Sequence, residues 1–350
     1  MKITGSFRAE DGDQRWHVEI ADDRFVTVRR SEDNGNYYIV RNTDGATVSD
    51  SAGKTYRNHS YDDHEVVQTV IEVAEKWPAA GKEEVTEKYI EGNKAAWEEA
   101  FDNRDASWGA DISERIRKEA YPFFEKEMAA VLRNIDTEGK TIGQFCCNNG
   151  RELLSLVKSG KASEGVGFDI AENQVAFANE KAKELNLPCS FEAVNIYDID
   201  ERFKERFDVV IITIGALCWF KDLDRFFAIV AKCMKPGAVI VFNEQHPCTN
   251  MLATEGDAEF DPAHRMECHY SYFTHEWTGN EGMYYMTQKN YHSKTFTDFT
   301  HSMSEILSGI CNNGIVVTGL QEFDHDISGG FSSIDHSGFP LSMILQGKKL

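Results

Sequence analysis

The stretch Ile142-Gly-Gln-Phe-Cys-Cys-Asn-Asn-Gly150 decides the fold, because a short apolar strand runs directly into a turn of small and polar residues. A helical segment, Glu152 to Val157, follows the turn, and a second apolar strand, Gly165 to Asp169, follows the helix. A strand, a helix and a second strand in this order predict a βαβ unit, which is the building block of a parallel sheet.

The same alternation continues downstream. Two further helices are predicted at Glu172–Leu185 and Leu223–Met234, and three further strands at Phe191–Val194, Phe207–Ile214 and Ala238–Phe242. The run Phe207–Ile214 is long and apolar enough to be a buried central strand. The predicted fold class is therefore α/β, a doubly wound sheet with helices on both faces.

The first eighty residues have a different pattern. Apolar and polar residues alternate in Trp16–Ile20 and Phe25–Val28, Asn34-Gly35 is a hairpin turn signal, and apolar residues recur at helical spacing in His64–Trp77. These patterns predict a small accessory α+β domain over residues 1–80. Residues 81–140 are predicted to be mainly helical, with one helix over Ile112–Ile135 that Pro122 starts or kinks. Residues 141–350 form the main domain.

Composition narrows the class of partner. The chain has 58 acidic and 37 basic residues and a net charge of −21, so it should repel phosphate backbones, and we expect no nucleic-acid partner. No apolar stretch reaches the roughly 18 residues of a membrane helix, and the N-terminus lacks a signal-peptide core, so we expect no membrane partner. Eight scattered cysteines without a CxxC pair predict free thiols in a cytoplasmic protein.

The turn after the first strand is a candidate ligand site, because ligands of such sheets bind beyond the carboxyl ends of the strands. Asp169 ends the second strand, nineteen residues after Gly150, which suits a carboxylate that binds ribose hydroxyls. The GxGxxG fingerprint of dinucleotide enzymes is absent. Taken alone, this turn leaves a plain strand–turn–helix open.

The wider pattern is more specific. Residues 86–348 resemble a class I S-adenosylmethionine-dependent methyltransferase of the small-molecule branch. The resemblance is carried, in order, by segments 93–97, 142–154, 165–170, 194–199, 207–220, 234–237 and 242–247.

The resemblance implies a Rossmann-like, seven-stranded sheet of the methyltransferase type and an enzyme that uses S-adenosyl-L-methionine. It also implies which residues bind that cofactor. In the turn, Gln144 stands where an acid is usual, Cys146 and Asn148 replace glycines, and Gly150 is retained. Asp169 should bind the ribose. The adenine should lie against Ile170, Asn195 and Ile196, and the mouth for methyl transfer should be lined by Thr213 and Ile214.

The acceptor side is predicted in an insertion over residues 247–300 that is rich in histidine and aromatic residues. Tyr270–Trp277 and Tyr284–Phe296 are expected to pair as an antiparallel flap, which is either a lid over the substrate or a structural hairpin. His246, beside Glu244, is the candidate general base, and a loop-capping histidine is the alternative.

A metal site is not expected. His264, Cys268 and His269, with His246 or His275 as a fourth ligand, match no established zinc spacing.

Three functions remain open at this point. The favoured one is methyl transfer to an O, N or S atom of a small molecule. The others are modification of a protein, or less plausibly an RNA, docked through the N-terminal domain, and a non-catalytic cofactor-binding protein. The oligomeric state, monomer or homodimer, is also open.

Overall fold

The computed structural model divides the chain into two units, Met1–Thr86 and Glu87–Leu350, which are described separately here. Within the first unit the structure describes the backbone of six strands between residues 3 and 57. In the second unit it describes residues 88–273 and 275–350, except for the side chain of residue 275.

The first unit contains an antiparallel meander in which each strand pairs with the next along the chain. Its strands are β1 (Ile3–Asp11), β2 (Gln14–Ala21), β3 (Phe25–Arg30), β4 (Asn36–Asn42), β5 (Gly45–Asp50) and β6 (Thr55–Arg57). Strands β2 and β3 contain the two segments that the two-residue alternation predicted. The helix predicted at 64–77 lies outside the described residues, and a separate domain over residues 1–80 stays a prediction.

A mixed seven-stranded sheet forms the centre of the second unit. Its strands are β7 (Thr141–Phe145), β8 (Glu164–Asp169), β9 (Cys189–Ala193), β10 (Phe207–Ile212), β11 (Met234–Gln245), β14 (Ile315–Phe323) and β15 (Ser342–Lys349). They lie in the order β9-β8-β7-β10-β11-β15-β14, and only β15 runs antiparallel to both of its neighbours. The order reverses between β7 and β10, where the connections leave towards opposite faces of the sheet.

Helices cover both faces of this sheet. They are α1 (Lys88–Asp102), α2 (Ile112–Lys118), α3 (Lys126–Arg133), α4 (Arg151–Gly160), α5 (Glu172–Leu185), α6 (Leu223–Cys233), α7 (Tyr284–Thr287) and α8 (Met303–Asn312). No helix among the described residues combines the length and the apolar character that a membrane crossing would need.

The helical segment predicted over Ile112–Ile135 is interrupted around Pro122, where a helix start or a kink was predicted. The structure has two helices there, because α2 ends where Glu119 is extended and α3 begins at Lys126. Pro122 lies in the break; it lacks a backbone N–H and its ring would collide with the preceding turn of a continuous helix.

Two apolar clusters fill the space between the sheet and its helices. An aromatic cluster that includes Phe145, Phe226 and Phe242 lies on the side of α6 and α8, and an aliphatic cluster that includes Leu132 and Leu153 lies on the side of α3 and α4. Each buried side chain of this size stabilises the fold by about 1.5–3 kcal/mol. The architecture is the predicted doubly wound α/β fold.

The insertion after β11 contains a small hairpin of β12 (His275–Gly279) and β13 (Phe296–Thr300). The predicted flap partner Tyr284–Phe296 is wrong as a strand, because residues 284–287 form α7 and β13 begins only at Phe296. In the hairpin Trp277 lies directly opposite Asp298, so the two side chains are on the same face.

Candidate functional site

The turn after β7 adopts a backbone shape that glycines normally provide. Cys146, Asn148 and Gly150 have φ angles of +57°, +49° and +77°. A left-handed conformation costs an L-residue roughly 1–2 kcal/mol, and asparagine is among the residues that tolerate it best. Strain of this kind is concentrated at functional sites. The turn therefore retains a glycine-like path although two of its positions are not glycine.

Gly150 has a second reason to be glycine. A Cβ atom at this position would lie 2.6 Å from the Phe191 ring and 2.8 Å from Ala178 Cβ. Helix α4 starts directly after it, at Arg151. Gly150 thus allows the helix to pack closely against its neighbours, while the ligand-facing part of the turn is formed by the preceding residues.

Asp169 ties the ends of two strands together. The Asn148 backbone N–H donates to Asp169 Oδ2 at 2.7 Å, and the Ala171 backbone N–H donates to Oδ1 at 3.1 Å. Burial raises the pKa of this carboxyl, and the backbone donors oppose the rise. A carboxylate offers about four lone-pair sites, so Asp169 can accept further hydrogen bonds from a ligand.

A cavity of about 410 Å³ lies beside the carboxyl ends of β7, β8 and β10. Small-molecule sites have volumes of roughly 300–1,000 Å³, so this cavity is large enough for such a ligand. We call it the sheet-edge cavity. Eight of the ten predicted cofactor residues line it: Cys146, Asn148, Asp169, Ile170, Asn195, Ile196, Thr213 and Ile214. The other two, Gln144 and Gly150, are not among its lining residues. Gln144 is fully buried, and its Nε2 donates to Thr213 Oγ1 at 3.3 Å.

Several residues of this cavity were not assigned to the cofactor site from the sequence. They are Trp97 and Trp108, Arg151 and Gln174 at the starts of α4 and α5, and Met283 and Tyr285 of the insertion. The position of Arg151 next to Gly150 is a usable local signal. The others come from separate helices and from the insertion, and no sequence motif connects them.

Polar and charged groups in the cavity leave unfilled bonding capacity. The charged side chains among its lining residues are Arg151, Glu152 and Asp169, a net formal charge of −1. Arg151 Nε donates to Glu152 Oε1 at 2.7 Å. Gln174 is 1% exposed, and its Oε1 has no hydrogen-bond partner among the described residues. Buried polar atoms are usually hydrogen-bonded, so a ligand could supply the donor for this oxygen.

Asn195 differs in detail from the prediction. Its Oδ1 accepts from the Tyr197 backbone N–H at 3.1 Å and so caps a short 3-10 turn. A second lone pair on that oxygen is available, so the predicted contact with an adenine amino group stays a prediction.

Glu244 at the end of β11 organises the loop after β10. Its carboxylate accepts from the backbone N–H groups of Gly215, Ala216 and Leu217 at 2.9, 3.2 and 3.3 Å, and from that of Gln245 at 3.0 Å. Burial raises the pKa of Glu244, and these four donors oppose the rise. Glu244 therefore positions a loop through that loop's main chain, and its carboxylate is not hydrogen-bonded to His246.

His246 has the geometry of the alternative interpretation, a loop-capping residue. Its Nδ1 accepts from the Cys248 backbone N–H at 3.1 Å, and its Nε2 lies 2.8 Å from Glu322 Oε1. The residue is 5% exposed and lines neither the sheet-edge cavity nor the cavity beside it. With both ring nitrogens occupied and the ring outside the cavities, the geometry does not favour His246 as general base.

The histidines and cysteine considered as metal ligands are not brought together. His264 Nδ1 pairs with Asp261 Oδ2 at 2.8 Å on the surface, and Cys268 is an exposed free cysteine. Among the described residues, one group could hold a metal ion, His325, Asp335 and His336, and it lies in the β14–β15 connection.

Comparison with known proteins finds a match to one family model. Residues 136–294 match a family model described as a methyltransferase domain. Comparison with curated proteins finds no match.

Three solved structures illustrate the structural similarity. A Listeria monocytogenes protein described as an S-adenosylmethionine-dependent methyltransferase is 17% identical, with a TM-score of 0.49, over 63% of this chain and 97% of that chain. A Mesorhizobium loti S-adenosylmethionine-dependent methyltransferase is 16% identical, with a TM-score of 0.44, over 67% and 100%. A Streptomyces coelicolor geranyl diphosphate C-methyltransferase is 14% identical, with a TM-score of 0.43, over 70% and 83%.

Similarities this weak carry no argument about activity or substrate, so the matched segment is the informative finding. That segment spans the turn after β7, Asp169 and the loop after β10, which are the parts from which the sheet-edge cavity is built. The chain thus contains a methyltransferase domain at residues 136–294, and this match is the finding that supports an enzyme.

Proposed function

We propose that this protein transfers a methyl group from S-adenosylmethionine to a small-molecule acceptor. The observation that carries the proposal is the pairing of two neighbouring cavities: the sheet-edge cavity and a second, aromatic-lined cavity of 450 Å³ under the insertion. Trp219 and Gln245 line both of them. Two volumes with a common wall suit a donor and a small acceptor held side by side.

The residues of the sheet-edge cavity fit the donor. S-adenosylmethionine carries one carboxylate, one ammonium and one sulfonium, a net charge of +1, which complements the net charge of −1 among the lining side chains. Asp169 would bind the ribose hydroxyls, and the Gln174 oxygen is a free acceptor for a donor group of the ligand. The left-handed turn at Cys146 and Asn148 would let the main chain approach the methionine part closely.

When bound, S-adenosylmethionine supplies an electrophilic methyl carbon, which bonds to an acceptor lone pair while the carbon–sulfur bond breaks and its electron pair stays on sulfur. The protein's part is then mainly to align the two molecules and exclude water. Thr213 and Ile214, next to the common wall, would line the mouth through which the methyl group passes. Glu244 would fix the loop that forms this mouth.

The two alternatives have less support. A non-catalytic protein was suggested by the loss of turn glycines, but the turn keeps left-handed angles at both substituted positions. A protein or RNA acceptor would need access to the methyl group from an open surface, and the net charge of −21 disfavours RNA.

The test has two stages. Calorimetric titration with S-adenosylmethionine and with S-adenosylhomocysteine should each give one binding event per chain. Methyl-labelled donor is then offered with a protein-free metabolite extract and, separately, with dialysed protein. Label that enters only small molecules supports the proposal. No donor binding, or label found only in protein, would overturn it.

A further inference from the structure

The second cavity, which we call the lid cavity, lies where the insertion, the loop after β10 and the end of β11 meet. Its walls include Trp219, Gln245, Tyr270, Trp277 and Asp298. It does not share the Asp169 side of the sheet-edge cavity; the two have only Trp219 and Gln245 in common. The lid cavity is thus a separate volume in contact with the site proposed for the donor.

The formally charged side chains that line this cavity are all acidic. The carboxylates among its lining residues belong to Glu244, Asp257 and Asp298, and none of its lining residues is a lysine or arginine. Its histidine, His301, has Nε2 placed 2.8 Å from the Phe220 carbonyl oxygen, and burial lowers its pKa, which favours the neutral ring. The potential inside the cavity therefore favours a positively charged ligand.

The three acids differ in how far protein donors satisfy them. Glu244 is used by four backbone N–H groups, and Asp257 Oδ2 accepts from the Thr254 backbone N–H at 2.6 Å. Asp298 has no hydrogen-bond or ion-pair partner among the described residues, and burial raises its pKa to about 6. Holding a carboxylate away from water without a partner is costly. Asp298 is therefore the acid with capacity left for a ligand.

The surroundings of Asp298 are aromatic. Trp277 lies opposite it on the hairpin, on the same face, and the rings of Tyr270 and Trp277 meet edge to face with centroids 5.0 Å apart. Trp219 forms the wall towards the sheet-edge cavity. A carboxylate among aromatic rings is the combination that binds organic cations, through charge-assisted hydrogen bonds and cation–π contacts.

We propose that the lid cavity is the acceptor site and that it takes a small molecule carrying a protonated amine, held by the Asp298 carboxylate among the rings of Tyr270, Trp277 and Trp219. This inference rests on the proposed function, because it assigns the acceptor of that reaction. It concerns the group that is recognised and leaves the methylated atom open.

The test compares three probes of one size and shape: 2-phenylethylamine, 2-phenylethanol and phenylacetate, which are cationic, neutral and anionic at pH 7.5. Each is titrated calorimetrically into the full chain with S-adenosylhomocysteine present. We expect the amine to bind at least about tenfold more tightly than the alcohol, the size of one charge-assisted hydrogen bond, and the acid to bind most weakly. The Asp298→Asn variant should lower the ratio between amine and alcohol to about one.

Two further variants make the result specific. Glu276→Gln removes one negative charge from the same hairpin, but Glu276 pairs with Lys221 at 3.0 Å and does not line the cavity, so the tenfold ratio should persist. Trp277→Leu should lower the affinity for the amine more than the affinity for the alcohol, because the substitution removes a cation–π contact. This second variant keeps the proposal testable if Asp298→Asn fails to fold.

Equal affinity for all three probes, no amine binding up to about 10 mM, which is weaker than a fragment usually binds, or an unchanged ratio in Asp298→Asn would each overturn the inference. S-adenosylhomocysteine is first titrated alone. Absence of its binding with a persistent amine preference would refute the proposed function, whereas normal binding without amine preference would refute only the acceptor assignment.

Discussion

The sheet-edge cavity and the lid cavity each contain one half-buried aspartate, and the two aspartates have different partners. Asp169 accepts two backbone N–H groups from the strand ends around it, whereas Asp298 has no partner among the described residues. Burial raises the pKa of both carboxyls, but backbone donors offset part of this cost at Asp169, and no partner among the described residues offsets it at Asp298. The strand ends therefore organise the proposed donor side, whereas the insertion provides the proposed acceptor side, where Asp298 has capacity left for a ligand.

The largest effect is expected from Glu244→Gln, which would disturb both cavities. The substitution removes the charge from an acceptor of four backbone N–H groups and places an amide donor against some of them. Charge-assisted hydrogen bonds contribute about 1.5–3 kcal/mol each, so we expect the free energy of unfolding to fall by about 3 kcal/mol or more. Urea unfolding measures it. A loss below about 0.5 kcal/mol would contradict the role assigned to this residue.

Asp169→Ala should affect ligand binding in the sheet-edge cavity and leave binding in the lid cavity nearly unchanged. We expect donor affinity to fall roughly tenfold to a hundredfold, because a charge-assisted pair with a ribose is worth about 1.5–3 kcal/mol. Amine binding in the lid cavity should change little. Calorimetry with S-adenosylhomocysteine and 2-phenylethylamine measures both, and Asp136→Ala, at an exposed position outside both cavities, is the control. Unchanged donor affinity in a folded variant would refute the assignment of Asp169.

Asp298→Asn should stabilise the protein at neutral pH. The folded-state pKa of about 6 lies above the ordinary value of about 3.9, so the native state binds the proton more tightly and stability falls as pH rises from about 4 to 6. The asparagine variant has no carboxyl group to ionise at this position, so its free energy of unfolding does not fall in this way. Its free energy of unfolding should exceed that of the wild type by about 1 kcal/mol at pH 7.5 and match it near pH 4. Urea unfolding at both pH values checks this, and a variant that is less stable at pH 7.5 would contradict it.

The smallest effect is expected at His246. Asparagine can accept the hydrogen bond from the Cys248 N–H but cannot act as a base, so His246→Asn should keep the loop cap and change turnover by less than about threefold. His246→Ala should lose the cap and about 0.5–2 kcal/mol of stability. Turnover of each purified variant is measured on the acceptor found in the extract screen. A drop of about 10² or more in the asparagine variant would restore His246 as general base.

Five of the seven strands of the central sheet, β7 to β11, could be predicted because each contains a short apolar segment close to turn residues, whereas β14 and β15 were not predicted individually. Strands β7, β8 and β10 begin within a residue of their predicted starts. The insertion was harder to predict for a physical reason. Strand β13 contains Asp298, which breaks its apolar pattern, and the aromatic run at Tyr284 and Tyr285 resembles a strand although it forms a short helix.

The site divides in the same way. The residues of the turn after β7 and of the strand ends were predicted because their place in the chain determines their place in space. Most partners of His246 and Glu244 could not be predicted from neighbouring residues: Glu322 is 76 residues from His246, and three of the four N–H groups that donate to Glu244 are 27 to 29 residues away. Glu244 and His246 were predicted to act together because they are close in sequence, but in the structure each side chain has different partners.

Cys146 has one further consequence for a protein whose bound donor is an alkylating agent. Its thiol lies in the wall of the sheet-edge cavity, where a thiolate would be a strong nucleophile for a sulfonium methyl group. Burial, reinforced by the negative charges of Asp169 and Glu244, raises the pKa of Cys146 well above its ordinary value. The neutral thiol reacts poorly, so the same two acids that shape the site also protect the enzyme from methylating itself.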